Sequence, residues 1–127
     1  MMEEALLPAV QKAYDINRWL LPKVERFPRQ YKFGVGARIQ DTALDLCLAL
    51  IEAGHARGGQ ALYRASRLLD QLRILLRLAN DLGLLSCGAH AHVSGLNEEL
   101  GRMIGGWTRH RREGRAVEGG TEGAART

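Results

Sequence analysis

The sequence has few aromatic residues, few cysteines and few prolines. Aromatic side chains make up 6% of the 127 residues, whereas apolar residues make up 46%. Leucine dominates the apolar set, and the runs of β-branched and aromatic residues that are typical of strands are missing. This composition favours helices packed through aliphatic seams over a sheet. The 2 cysteines indicate no disulfide framework, and we expect a reducing compartment.

Long apolar runs are also missing. Asp41, Asp45 and Glu52 interrupt the longest candidate, which therefore falls short of the roughly 20 apolar residues that span a bilayer. The first residues, MMEEALLPAV, are acidic rather than basic and lack a long apolar centre, so they do not resemble a secretory signal. We therefore expect a cytoplasmic protein with no membrane partner.

Signatures of catalysis and of cofactor binding are missing too. The glycines fit neither a P-loop nor a dinucleotide-binding fingerprint, and no nucleophile elbow or catalytic triad signature is present. Cys87, His90 and His92 fall close together, but a closed zinc site needs four ligands and no second pair follows. We predict a non-enzymatic protein that has no catalytic residues, no bound metal and no cofactor.

The sequence does contain four stretches in which apolar residues recur at helical spacing. The predicted helices lie at about 8–27, 37–57, 60–83 and 91–112. The third has the clearest seam, which consists of Leu62, Ala65, Leu69, Leu72, Leu76 and Ala79. Residues 29–36 read as a polar linker that contains two glycines.

Four helices of similar length joined by short loops indicate an all-α fold. We predict one domain, residues 1–113, folded as an antiparallel up-down four-helix bundle. Residues 114–127 are rich in glycine and have one large apolar residue, Val117. Because such a segment buries too little apolar surface to offset its loss of conformational entropy, we predict that this tail is disordered.

Basic residues are concentrated in three windows, 18–38, 57–77 and 102–115, each of which contains a single acidic residue. Arginines outnumber lysines by 15 to 3, and the planar guanidinium group suits bidentate contact with phosphate. Trp19, Tyr31, Phe33 and Trp107 lie in or beside these windows and are available to stack on bases. The windows predict a polyanion-binding surface without sequence-specific readout, although charged helix faces are often merely solvated.

Three segments together resemble a known family. They are FPRQYKFGVGARIQDTALDLCLALIEA (Phe27–Ala53), LLDQLRILLRLANDLGLLS (Leu68–Ser86) and EELGRMIGGW (Glu98–Trp107). They are similar to the four-helix-bundle family that contains the accessory variability determinants of diversity-generating retroelements and the proteins encoded in intervening sequences of bacterial 23S rRNA genes. The resemblance covers residues 10–112.

The resemblance implies a homopentameric, barrel-like assembly with a basic surface that binds nucleic acid. It also implies an accessory role without polymerase activity, in which a reverse transcriptase and template-repeat RNA are partners in mutagenic cDNA synthesis and DNA is a further partner. The residues expected to contact nucleic acid or the protein partner are Arg26, Arg29, Lys32, Arg38, Arg64, Arg67, Arg73, Arg77, Arg109, Arg111 and Arg112. The alternative is a structural, oligomerising bundle of the intervening-sequence type without a retroelement role.

Overall fold

The computed structural model of the chain describes residues 7–55 and 58–126, with side chains described up to residue 112. In chain order the helices are α1 (Leu7–Glu25), α2 (Arg29–Tyr31), α3 (Ala37–Ala53), α4 (Gly59–Asp81) and α5 (Cys87–Arg126). A π-helical segment, Lys32–Gly36, joins α2 to α3. The described residues contain no strand, and the prediction of an all-α four-helix bundle is confirmed.

The four long helices pack in a ring in which each contacts the next along the chain and α5 returns to α1. Short connections make successive long helices antiparallel. Two side-chain contacts tie α5 to other helices: Lys12 of the neighbouring α1 pairs with Glu99 at 2.6 Å, and Arg111 reaches across the bundle to the carbonyl of Ala53 at the end of α3. The interface between α3 and α4 is the most extensive of the ring.

The bundle core is aliphatic, with a polar bridge between α1 and α3. Every residue of the seam predicted for the third helix is buried. Asn17 is buried as well, and its Nδ2 donates to the carbonyls of Ala13 at 2.9 Å and Ala43 at 2.8 Å. Because the second bond crosses to α3, it fixes the register of α1 against that helix.

The prediction of a linker at 29–36 is wrong, since this segment is helical. Pro28 precedes α2 with φ −54° and ψ 146°, the extended geometry that suits a residue just before a helix. The chain then continues through the π-helical segment, where Gly36 is buried. A Cβ on Gly36 would lie 3.2 Å from the side chains of Phe27 and Val24. This glycine therefore allows the start of α3 to approach the end of α1 closely.

The ends of α1 and α4 and the start of α3 lie within two residues of the predictions, whereas α3 ends at Ala53 rather than near 57 and both ends of α5 differ. This helix begins at Cys87 rather than near 91 because Ser86 caps it: the N–H of Ala89 donates to Ser86 Oγ at 3.0 Å. Its backbone is helical to Arg126, whereas the sequence predicts an end near 112. The side chains of 113–127 lie outside the described residues, so the disorder predicted for 114–127 stays a prediction.

Leucines are exposed on the outer sides of α3 and α4. Leu44 and Leu48 lie one turn apart on α3, and Leu48 is 61% exposed. Leu78 and Leu82 are spaced in the same way at the end of α4 and are also exposed. Exposed apolar surface of this kind is typical of sites of protein–protein contact.

Within the part of the chain that the structure describes, no helix combines the length and apolar content needed to cross a membrane.

Candidate nucleic-acid interface

One set of predicted site residues lies on the connection between α1 and α3 and on the first turn of α3. Arg26, Arg29 and Arg38 are exposed there, whereas Lys32 is half-buried. Lys32 Nζ lies 2.6 Å from a carboxylate oxygen of Glu25, so part of its charge is neutralised locally. We call Arg26, Arg29, Lys32 and Arg38 the turn group.

A second and larger set lines a groove between α4 and α5. Three cavities, of about 410, 540 and 250 Å³, follow one another along these two helices and share lining residues, Ser66 between the first two and Arg73 between the last two. Together they form what we call the α4–α5 groove. It extends about 27 Å along α4, from Gly59 to Arg77, at 1.5 Å per residue.

The α4–α5 groove carries an excess of positive charge. Among its lining residues are six arginines and two carboxylates, Asp70 and Glu98. The arginines are Arg73, Arg77, Arg102, Arg109, Arg111 and Arg112. Guanidinium groups that line a concave surface raise the local concentration of a polyanion more than the same charges spread over a convex one.

A glycine on α5 makes room for one of these arginines. A Cβ on Gly101 would lie 2.5 Å from Nη2 of Arg73, so the Arg73 guanidinium rests where a side chain would otherwise stand. Arg73 Nη1 also donates to Asp70 at 2.9 Å, which holds the side chain along α4. A Cβ on Gly105 would lie at an ordinary contact distance of 3.8 Å from the Arg109 guanidinium, so that position would tolerate a side chain. The floor of the groove is therefore partly backbone.

Arg111 differs from its neighbours because it is half-buried and engaged within the bundle. Its Nη2 donates to the carbonyl oxygen of Ala53, and its guanidinium carbon lies 5.7 Å from the ring centroid of Trp107. Ala53 is the last residue of α3, so a cation there also compensates the negative end of that helix dipole. These contacts give Arg111 a structural role, whereas Arg112 is exposed.

Arg64 and Arg67 lie outside the α4–α5 groove. Arg64 Nη2 pairs with a carboxylate oxygen of Glu52 on α3 at 2.8 Å, which places it toward the opposite side of α4. Arg67 stacks over Tyr63, with its guanidinium carbon 5.9 Å from the ring centroid. The structure therefore divides the predicted residues among the turn group, the groove, the α3 side of α4 and the outer side of α4.

The aromatic residues near the basic windows differ in exposure. Phe33 is 72% exposed beside the turn group, and it is accessible for stacking. Trp19 and Trp107 pack partly against the core, and each has a histidine ring close by, His92 at 5.1 Å and His110 at 5.0 Å between centroids. Their rings are therefore available only in part.

Several groove residues were absent from the predicted site. Arg102 falls in the third basic window, so the charge pattern could have identified it. His90, Ser94 and Asn97 line the smallest cavity together with Arg77, and only the pairing of α5 with α4 reveals them. Tyr63 lines the first cavity, and its position in an apolar-periodic helix gave no separate signal.

Two described side chains, Cys47 and Glu99, have a shifted pKa. Burial raises the pKa of the Cys47 thiol, which favours the neutral form. A hydrogen bond from Lys12, together with its charge, lowers the pKa of Glu99. Within residues 7–55 and 58–112, no group of three or more His, Cys, Asp or Glu side chains is placed to hold a metal ion.

The fold and its groove define a class: an antiparallel four-helix bundle with an arginine-lined face. A sequence model described as bAvd-like matches residues 7–111. The chain belongs to this family and is an Avd-like protein, as its sequence segments indicated. The family is of an accessory, non-catalytic type. No curated protein and no solved structure matches the chain.

Proposed function

We propose that the chain is a non-enzymatic accessory protein of a diversity-generating retroelement and binds nucleic acid through its α4–α5 groove. Its partners in this proposal are a reverse transcriptase and the template-repeat RNA, and its role is to support mutagenic cDNA synthesis. Membership of the bAvd-like family supports the accessory role. The observation that carries nucleic-acid binding is the groove lined by two carboxylates and six arginines, of which all but the structural Arg111 are offered to phosphates.

Phosphate contact is the chemistry that suits this groove. Guanidinium groups donate in a planar fork that matches phosphate oxygens, and the release of counterions from the nucleic acid makes such binding strongly dependent on salt. Arg77 is exposed and lines the groove, so its guanidinium is accessible to a phosphate. The turn group supplies a second basic surface for a longer strand or for the protein partner.

The salt dependence of RNA binding tests the groove. We expect Arg77→Ala to weaken binding of a structured RNA and to lower the slope of log K against log salt by about 0.7–0.9, because one phosphate is no longer neutralised. Arg18→Ala is the matched control, since Arg18 is an exposed arginine on α1 and its removal changes the net charge equally. Equal effects of the two substitutions would show that only overall charge matters and would remove the groove from the proposal.

The proposed assembly is a homopentamer, which the exposed leucines of α3 and α4 support. Leu44, Leu48, Leu78 and Leu82 offer apolar surface that packing against further copies would bury. Light scattering after size exclusion should give five times the chain mass of 14.0 kDa, and Leu48→Glu should lower it. A monomer at micromolar concentration would contradict the assembly.

The alternative is an oligomerising structural bundle of the intervening-sequence type, which the same exposed leucines would serve without any nucleic acid. Two measurements separate the candidates. Co-expression with the reverse transcriptase of a diversity-generating retroelement should yield a complex that survives purification if the accessory role is right. An oligomer that binds neither RNA nor DNA at low salt, and no reverse transcriptase, would favour the structural alternative.

A further inference from the structure

A buried amide lines the smallest cavity of the α4–α5 groove. Asn97 is 1% exposed, and its Oδ1 accepts no hydrogen bond among the residues that the structure describes. A buried polar atom without a partner is unfavourable, and in this chain Asn17 Oδ1 is in the same state within the core. Asn97 lines the 250 Å³ cavity, but its Oδ1 has almost no accessible surface, so a donor in the cavity reaches this oxygen only when the amide rotates toward the cavity.

The other walls of this cavity differ in chemistry. Arg73 and Arg77 line it from α4 and are exposed, and Ser94 contributes a hydroxyl that lies 3.5 Å from a ring nitrogen of His90. Leu76 and Ile74 add apolar surface. The cavity therefore combines two cations, one carboxylate (Glu98), hydrogen-bonding groups and an apolar wall, and its volume is far larger than one water molecule requires.

This combination matches one nucleotide. A carboxamide can pair with a base edge that presents a donor beside an acceptor, and the apolar wall can contact the face of the base. The flanking phosphates would then lie on Arg73 and Arg77. Because the cavity shares Arg73 and Glu98 with the 540 Å³ cavity, a strand that leaves it can continue along the groove, which favours a polymer over a free nucleotide.

We propose that this cavity receives one unstacked base of a single-stranded nucleic acid, with the Asn97 amide on the base edge and Arg73 and Arg77 on its phosphates. The inference rests on the proposed function, and it adds that the groove binds a base as well as the backbone. Double-stranded nucleic acid, whose bases are paired and stacked, cannot make this contact.

A comparison of two ligands tests the proposal on the full chain. The first is a short oligo(dC) strand, and the second is an abasic strand of the same length that keeps the sugars and phosphates. We expect Asn97→Leu to weaken oligo(dC) binding by at least about 5-fold, since a good amide-to-base pair contributes on that scale, and to leave the abasic strand unaffected. Arg77→Ala is the control and should weaken both strands alike.

Asn97→Leu replaces the unpaired polar atom with an apolar group and keeps the number of side-chain heavy atoms, so we expect it to fold. Ser94→Leu is a second variant that fills the cavity from another position, and it should show the same selective loss. If both variants bind oligo(dC) like the parent, or lose both strands equally, the cavity holds water or serves packing, and the inference is overturned. Displacement of oligo(dC) by micromolar cytidine monophosphate would instead show that the cavity binds a free nucleotide, and it would overturn the proposal that the ligand is a nucleic-acid strand.

Failure of the inference and failure of the proposed function give different results. A parent protein that binds both strands equally well retains a phosphate-binding groove but has no base site. A parent protein that binds neither strand at low salt overturns both proposals.

Discussion

Gly58 closes the turn between α3 and α4, and we expect Gly58→Ala to destabilise the bundle. A Cβ at this position would lie 2.4 Å from the carbonyl oxygen of Ala53 and 2.6 Å from its carbonyl carbon and Cα. The φ of −87° and ψ of 12° at Gly58 are accessible to alanine. The penalty is therefore a clash with backbone and not a strained dihedral angle.

The surrounding hydrogen bonds limit how far this turn can move. The N–H of Gly58 donates to the carbonyl of His55 at 3.1 Å, and the Gly58 carbonyl accepts from the N–H of Leu62 at 2.9 Å. Overpacking in such a site costs about 1–3 kcal/mol. For a domain of this size we expect a fall in Tm of about 4–12 °C.

Urea unfolding followed by circular dichroism measures the effect, with Gly95→Ala as the matched control. Gly95 lies inside α5, and a Cβ there would meet nothing within 4 Å. The control should therefore raise the free energy of unfolding by about 0.5–1 kcal/mol, the helix propensity of alanine over glycine. If Gly58→Ala is as stable as the parent while the control behaves as expected, the steric account of this turn is wrong.

Three further predictions concern a core leucine, a hydrogen bond from an arginine to a backbone carbonyl, and an ion pair. Leu72→Ala should lower the free energy of unfolding by about 2–5 kcal/mol because Leu72 is fully buried; a decrease below about 1 kcal/mol by urea unfolding would contradict this. Arg111→Ala should lower it by about 1.5–3 kcal/mol because the bond to the α3 carbonyl is removed, whereas Arg112→Ala, measured in parallel, should change it little. Lys12→Ala should raise the pKa of Glu99 toward its ordinary value, as NMR titration can show. Since the folded pKa of Glu99 is lowered, the pair stabilises the fold above the ordinary pKa, and this contribution disappears as pH falls through the folded pKa.

The long helices were predictable because their apolar residues recur with a single period. The seam of α4 is buried as predicted, from Leu62 to Ala79. The ends were less predictable, since they depend on local hydrogen bonds and approach distances. Ser86 caps the start of α5 because its Oγ accepts a hydrogen bond from the N–H of Ala89. Glycine is typical of linkers, but Gly36 lies in a helical segment, where the lack of a side chain lets the backbone pack closely against Phe27 and Val24.

The grouping of the basic residues could not be read from charge alone. Arg111 and Arg112 are adjacent and chemically identical, yet a rotation of about 100° along the helix turns one toward Ala53 and leaves the other exposed. On α4, the same rotation between adjacent residues leaves Tyr63 in the groove and turns Arg64 toward Glu52 on α3. Only the pairing of α5 with α4 decides which arginines share a surface.

The glycines of α5 also have a consequence for the order in which the bundle opens. Five of them lie between residues 87 and 112, at Gly88, Gly95, Gly101, Gly105 and Gly106. Relative to alanine, these five glycines weaken the isolated helix by about 4–5 kcal/mol. Its helical state therefore depends on packing against α1 and α4 more than that of its neighbours. In native-state hydrogen exchange, the amides of α5 should exchange through a partial opening that leaves the α3–α4 hairpin protected. The helix that makes room for an arginine would then also be the part of the bundle that detaches first.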